Sequence, residues 1–324
     1  MRTADTPAAT VITEAIAVTN QLRQIPLSAR RLAIDADRAR REFGTDHRVL
    51  DYLLDVVCEA GLPHSTDGKA RLFDLFDLIN LSLYLPLRTP NRAAMRFWGT
   101  VLNRPAGELR TYAVGYAPLC PMPGHASDCE FLLRTPDETA VRIRRPACEE
   151  GSAHTATVIL GNDWPVAPAP VRRLLEEIGH VRLFRLPEIL RWNTDFMLST
   201  GIGDCAGMAR LLTERAKTAG LAARLRYGLL VAPPYSMPHF WAEFHLDDRW
   251  VPYDPGLVNA LVRWGVLNGD QWPMHRSPGA VLAGLSSRFT RVGTDRGFNA
   301  YVAFPTRLIS KTTLGSRADT AASS

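Results

Sequence analysis

Three residue types that together carry out acyl transfer occur in order along one stretch of the chain: Cys205 in GIGDCAGMARLL, His239 in PHFWAEFHL and Asp254 in RWVPYDPG. An ionised thiol is a strong nucleophile. An imidazole within hydrogen-bond reach takes its proton, and a carboxylate fixes the imidazole's tautomer. Each residue alone has a plainer reading: a small buried hydrophobe, a satisfied polar group on a strand, the start of a turn before Pro255. Their joint occurrence at a helix start and on adjacent strands points to a thiol nucleophile, a base and an orienting acid.

The surrounding sequence predicts how these residues are held. Met208, Leu211, Leu212, Ala216 and Ala219 recur at helical spacing and Gly220 ends the run, so Cys205 opens a helix. Asp204 is a preferred capping residue, and Gly201 and Gly203 permit a sharp entry. The amide end of such a helix lowers a thiol's pKa and donates to a developing oxyanion. His239, Trp241, Glu243 and His245 alternate with Phe240, Ala242, Phe244 and Leu246, a period of two that predicts a strand with one apolar face. A polar turn at Asp247, Asp248 and Arg249 leads into a second strand from Trp250 to Asp254. A hairpin through it sets Asp254 opposite His239 to within about two residues of register.

GIGDCAGMA, HFWAE and WVPYDP, in that order and with AGLAARLRYG between the first two, resemble the motifs of the transglutaminase-like superfamily. The resemblance spans about Leu198 to Gly256. It implies an α+β, papain-like core in which a helix bearing Cys205 packs on an antiparallel sheet bearing His239 and Asp254. It also implies Cys205 as nucleophile, His239 as base and then acid, and Asp254 as orienter. The superfamily includes amide-forming acyltransferases, peptidases, amidases and inactive relatives, so the reaction stays open. The expectation adopted is amide formation between a thioester or amide donor and an amine. Peptidase or amidase hydrolysis is the alternative, and a noncatalytic interaction protein on the same fold is the third reading. Trp241 is expected to wall the site and Glu243 to pair with an arginine. Trp192 and Trp164 are candidate indole donors to an oxyanion, and Asp204 is a further substrate-site candidate.

A chain of 324 residues that is 46% hydrophobic and 22% charged exceeds a minimal catalytic domain. The expected organisation is a helical N-terminal region over 1–108, a small antiparallel β region over 109–165, the catalytic core with a C-terminal arm over 166–314, and a disordered tail over 315–324. The β region is read from TYAVGYA, CEFLLR, AVRIRR and TATVIL. In the arm, Trp264, Trp272, Phe298 and Tyr301 are expected in the core. The start lacks a basic end followed by an apolar stretch and cleavage site, and no run of eighteen apolar residues occurs. The expectation is a soluble cytoplasmic protein.

Five cysteines, an odd number without close pairing, argue against a disulfide framework. Cys120, His125, Cys129, Cys148 and His154 gather soft ligands in one region but lack a C-x-x-C knuckle, so neither a metal nor any cofactor is expected. Of 38 basic residues all but Lys69, Lys217 and Lys311 are arginines. Crowding at Arg30, Arg31, Arg38, Arg40 and Arg41, and at Arg142, Arg144 and Arg145, suits a solvated face or an acidic carrier protein that brings the acyl group. A net charge of only +5 and the lack of a recognition motif argue against nucleic acid.

Overall fold

The computed structural model of the chain describes residues 8–43, 47–68, 70–85, 89–122, 125, 127–136, 139–146, 149–287 and 292–313. The expected tail at 315–324 and the first residues lie outside them. The fold mixes helices with antiparallel sheet, an α+β architecture. It divides into two units. The first comprises Met1–Gly99, Arg173–Leu212 and Pro255–Met274, and the second Thr100–Arg172, Thr213–Asp254 and His275–Ser324.

The first unit is mainly helical, with helices at Ala9–Leu22, Ala36–Phe43, His47–Glu59 and Leu75–Tyr84 in its N-terminal stretch. Leu32–Ile34, Ser65–Asp67 and Ala70–Asp74 form a three-stranded antiparallel sheet there, which helical periodicity does not announce. Asp74 explains the junction. Its carboxylate accepts from Phe76 and Asp77 amides to cap the next helix and from the Arg31 amide at 2.7 Å, tying strand to cap. Arg30 is not part of a solvated arginine face. It is buried, paired with Asp77 at 2.7 Å and donating to the Leu22 and Ile25 carbonyls.

Two short parallel strands, Arg182–Leu183 and Ile202–Gly203, then deliver the chain to the helix Cys205–Thr218. They are held from the helix Leu75–Tyr84. Asn80 makes reciprocal bonds with the backbone of Arg185, at 2.9 and 2.8 Å, and the Tyr84 hydroxyl donates to the Leu183 carbonyl at 2.8 Å. Tyr84 also stacks on Phe184, and burial raises its phenol to about 12, keeping it a neutral donor.

The second unit is built on a seven-stranded antiparallel sheet. Its order is Leu282–Ser286, Ala223–Leu230, Tyr235–Leu246, Val302–Thr313, Glu108–Pro118 and His154–Gly161, with Arg249–Tyr253 also paired to Tyr235–Leu246. A four-stranded sheet joins Phe298–Asn299, Gly293–Asp295, Cys129–Arg134 and Ala140–Arg145. The runs TYAVGYA and TATVIL therefore lie in the large sheet with His239, whereas CEFLLR and AVRIRR lie in the smaller one. Val302–Thr313 bridges the histidine strand and Glu108–Pro118, a long-range pairing that local alternation cannot reveal.

Trp264 and Trp272 are buried as expected, but Phe298 and Tyr301 are 56% and 68% exposed. Phe298 follows a turn with positive φ at Arg296 and Gly297 and sits on a two-residue strand at the edge of its sheet among the described residues.

Candidate active site

Asp204 is the N-cap of the cysteine helix. Its carbonyl accepts from the Met208 amide at 3.1 Å and its carboxylate from the Ala206 amide at 3.2 Å. The same carboxylate accepts from Leu186 N at 3.2 Å and from the Cys205 thiol at 3.3 Å. It is 3% exposed, while Cys205 is half-buried. Asp204 thus holds the turn together and supports the sulfur, rather than facing solvent as a substrate contact.

Entry into this turn depends on Gly201, whose φ of 70° is the left-handed conformation that closes the preceding helix Thr194–Thr200. Two residues beyond the cysteine, a Cβ on Gly207 would stand 2.8 Å from the Arg191 carbonyl oxygen. Glycine here lets the backbone before Trp192 press against the first turn of the helix. Trp192, half-buried at the end of the helix Glu188–Arg191, is one residue along from that contact.

His239 and Asp254 are brought together in the second unit, Nε2 to Oδ2 at 2.6 Å, with exposures of 7% and 4%. A two-residue turn sets this pairing. Asp247 and Asp248 both have positive φ, 46° and 63°, the conformation of a type I′ hairpin, so Arg249 is already strand. The register then runs from Leu246 opposite Arg249 to Ala242 opposite Tyr253. Asp254 follows directly, two residues from His239 in register. Burial pushes the phenol of Tyr253 up to about 12, and its hydroxyl donates to the Pro165 carbonyl at 3.3 Å, anchoring the strand just before Asp254.

The strand predicted with one apolar face buries both faces: His239, Trp241 and Glu243 are buried along with Phe240, Ala242 and Phe244. Burying a polar face requires partners. The Trp241 indole donates to Glu243 Oε1 at 3.1 Å, and Arg224 holds Glu243 Oε2 with Nε at 2.8 Å and Nη2 at 2.7 Å. Arg226, also buried, stands 3.8 Å from the same carboxylate. Trp241 lies nearly parallel to the His239 ring, 22° between planes and 6.5 Å between centroids. Opposite His239 is Gly228, where a Cβ would come within 2.6 Å of the Trp241 indole and 2.1 Å of the Ala283 carbonyl. The indole wall therefore depends on glycine in the neighbouring strand.

These contacts sort the tryptophans. Trp241 is committed to Glu243, and Trp164 donates its indole N–H to the Gly161 carbonyl at 2.8 Å, so neither supplies an oxyanion donor in this arrangement. Among the arginines of Ala140–Arg145, Arg144 pairs with Asp128 at 3.0 Å on the surface. Arg145 is buried and donates to the carbonyls of Pro118, Gly151 and Glu149, a structural role rather than a docking one.

Sequence reasoning missed Asn80, Tyr84, Gly207 and Gly228. Asn80 carried a signal, a polar residue inside the apolar helical run LFDLINLSLYL. The glycines carried none, because their neighbours come from distant segments.

Comparison with known proteins places residues 188–255 in a match to the family described as the transglutaminase-like superfamily. Among solved structures, the chain is similar to a proposed cysteine protease from Cytophaga hutchinsonii at 10% identity and a TM-score of 0.34. That likeness covers 66% of this chain and 92% of the other. Comparison with curated proteins gave no match.

Proposed function

We propose that this chain, whose residues 188–255 belong to the transglutaminase-like superfamily, is a cysteine acyltransferase that forms an amide through a thioester on Cys205. The observation that carries the reading is the buried hydrogen bond between His239 and Asp254, set by a tight hairpin in the family's own motif. Asp254 holds His239 through Nε2. The other ring nitrogen, Nδ1, takes the proton of the Cys205 thiol. The thiolate attacks the donor carbonyl, and the collapsing intermediate expels its leaving group with the proton from His239. An amine then attacks the thioester, His239 accepts its proton, and Cys205 leaves as the thiolate.

The positive end of the cysteine helix, capped by Asp204, favours the oxyanion charge that develops in both steps. Burial of His239, Asp254 and Trp241 supports transfer over hydrolysis, because a dry base favours an amine that brings its own binding contacts. Hydrolysis uses the same residues, with water in place of the amine.

The test is intact-protein mass spectrometry of the acylated enzyme during a chase. Release faster with a particular amine than with buffer, with the acyl group recovered as an amide, is the expected result. Equal release with and without every amine tried, and recovery as the free acid, would make the protein a hydrolase.

A further inference from the structure

Four ligand-bearing side chains that the reaction does not use converge in the second unit. Cys120, His125, Cys129 and Asp295 place one donor atom each within 4.8 Å of one another. His125 Nε2 is 3.1 Å from the Cys120 sulfur and 3.5 Å from that of Cys129. Cys129 and Asp295 are fully buried and the other two half-buried. Three of the four come from one short segment. Asp295 lies far along the chain and arrives by strand pairing, Gly293–Asp295 lying antiparallel to Cys129–Arg134.

Asp295 marks this as more than a chance gathering. One carboxylate oxygen accepts the Glu130 amide at 2.8 Å, while Oδ2, equally buried, has no hydrogen-bond partner. A buried carboxylate oxygen left bare is costly unless a donor or a cation faces it. The neighbours are two sulfurs and an imidazole, the donor set of a cation site.

The imidazole is oriented for ligation. Its Nδ1 lies 3.0 Å from the Ser127 hydroxyl, which also accepts from Arg296 at 3.0 Å. Arg296 further holds the Asp128 carbonyl at 2.9 Å. With Nδ1–H donated to Ser127, Nε2 presents its lone pair to the sulfurs, the outer-shell support usual for a ligating histidine.

We propose that Cys120, His125, Cys129 and Asp295 form a structural zinc site. The set is two thiolates, one imidazole and one carboxylate, soft enough to prefer zinc over magnesium or calcium and complete at four ligands, as in closed tetrahedral sites. Donor atoms around a tetrahedral zinc are separated by about 3.3–3.8 Å, so on binding the widest separations close and the 3.1 Å contact of His125 with Cys120 opens slightly. Both cysteines bind as thiolates and give their protons to solvent. His154 takes no part; it packs on Tyr116, and Cys148 lies outside the described residues. The site fastens the segment before Cys129 to the strand carrying Asp295, clamping the four-stranded sheet where its partners come from distant parts of the chain.

The experiment is metal analysis of the full-length protein purified without chelator and after incubation with zinc, followed by replacement with cobalt(II). About one zinc per chain is expected, with visible d–d bands of a tetrahedral cobalt centre and thiolate-to-cobalt charge transfer. Cys129→Ser and Asp295→Ala should lower the ratio at least about tenfold, and Cys205→Ala should leave it unchanged. Less than about a tenth of a zinc in wild type after incubation, or cobalt spectra without thiolate charge transfer, would overturn the proposal even if the variants fail to fold. So would a Cys120–Cys129 disulfide in freshly purified, metal-free protein.

Discussion

At the scale of single residues, the chemistry rests on side chains whose partners differ in kind. Cys205→Ala should abolish adduct formation with the fold retained, which circular dichroism and adduct mass check together. His239→Ala should slow acylation by about 10²–10⁴-fold, and Asp254→Ala by less, because it orients a ring that the strand already places. Equal rates in all three variants would put the reaction elsewhere. Glu243 acts on stability instead, because it accepts from Trp241 and Arg224 on a buried face, with Arg226 3.8 Å away. Glu243→Ala should cost about 1–3 kcal/mol in urea unfolding by leaving the buried Trp241 indole and the part-buried Arg224 guanidinium without their acceptor. Trp241→Phe loses the indole donor and part of the buried ring beside Gly228, so about 2–3 kcal/mol is expected in urea unfolding. The triad candidates were legible because reactive residue types stood in a recognisable order. The partners of Glu243 were legible only as a class, since many arginines were available and strand pairing chose two.

At the scale of elements, the hairpin is the device that sets the site. Its existence followed from alternation and a polar turn, but its register followed from two aspartates in left-handed conformation, which the expected three-residue turn did not capture. Asp248→Gly should relieve that conformation and stabilise the protein by about 0.5 kcal/mol without changing the rate, measured by urea midpoint and steady-state kinetics. One inserted residue after Asp248 should instead break the His239–Asp254 bond by shifting the strand's faces. Gly228→Ala would drive a methyl against the Ala283 carbonyl and the Trp241 indole. It should lower the urea midpoint markedly and slow turnover by displacing the wall beside His239; an unchanged midpoint and rate would show that the indole yields freely. The period-two pattern identified the strand but says nothing of what covers its polar face. Alternation reports which face is apolar, and here the polar face is buried too.

At the scale of the whole molecule, what escaped the sequence shares one cause, pairing between segments far apart in the chain. Val302–Thr313 joins the sheet of His239, and Asp295 reaches Cys129, by contacts no local window contains. The same distance hid the division of the expected β region between two sheets. Among the described residues, no helix is long and apolar enough to cross a membrane. The surface arginines retain a proposed role toward an acidic carrier, now narrowed to Arg142 and Arg144 because Arg145 is internal. Reversing both to glutamate should raise apparent KM for a carrier-bound donor and leave a small free thioester unaffected; equal KM for both donors would remove the docking role. The central claim is that an acyl group rests on Cys205, and trapping it tests this most directly. Wild-type protein and Cys205→Ala would be mixed with a panel of acyl thioesters and peptides and read by intact mass spectrometry. A donor-derived adduct on wild type, mapped to Cys205 and missing from the variant, is the predicted result. An adduct of equal yield on the variant, or turnover of a donor by the variant at the wild-type rate, would contradict it.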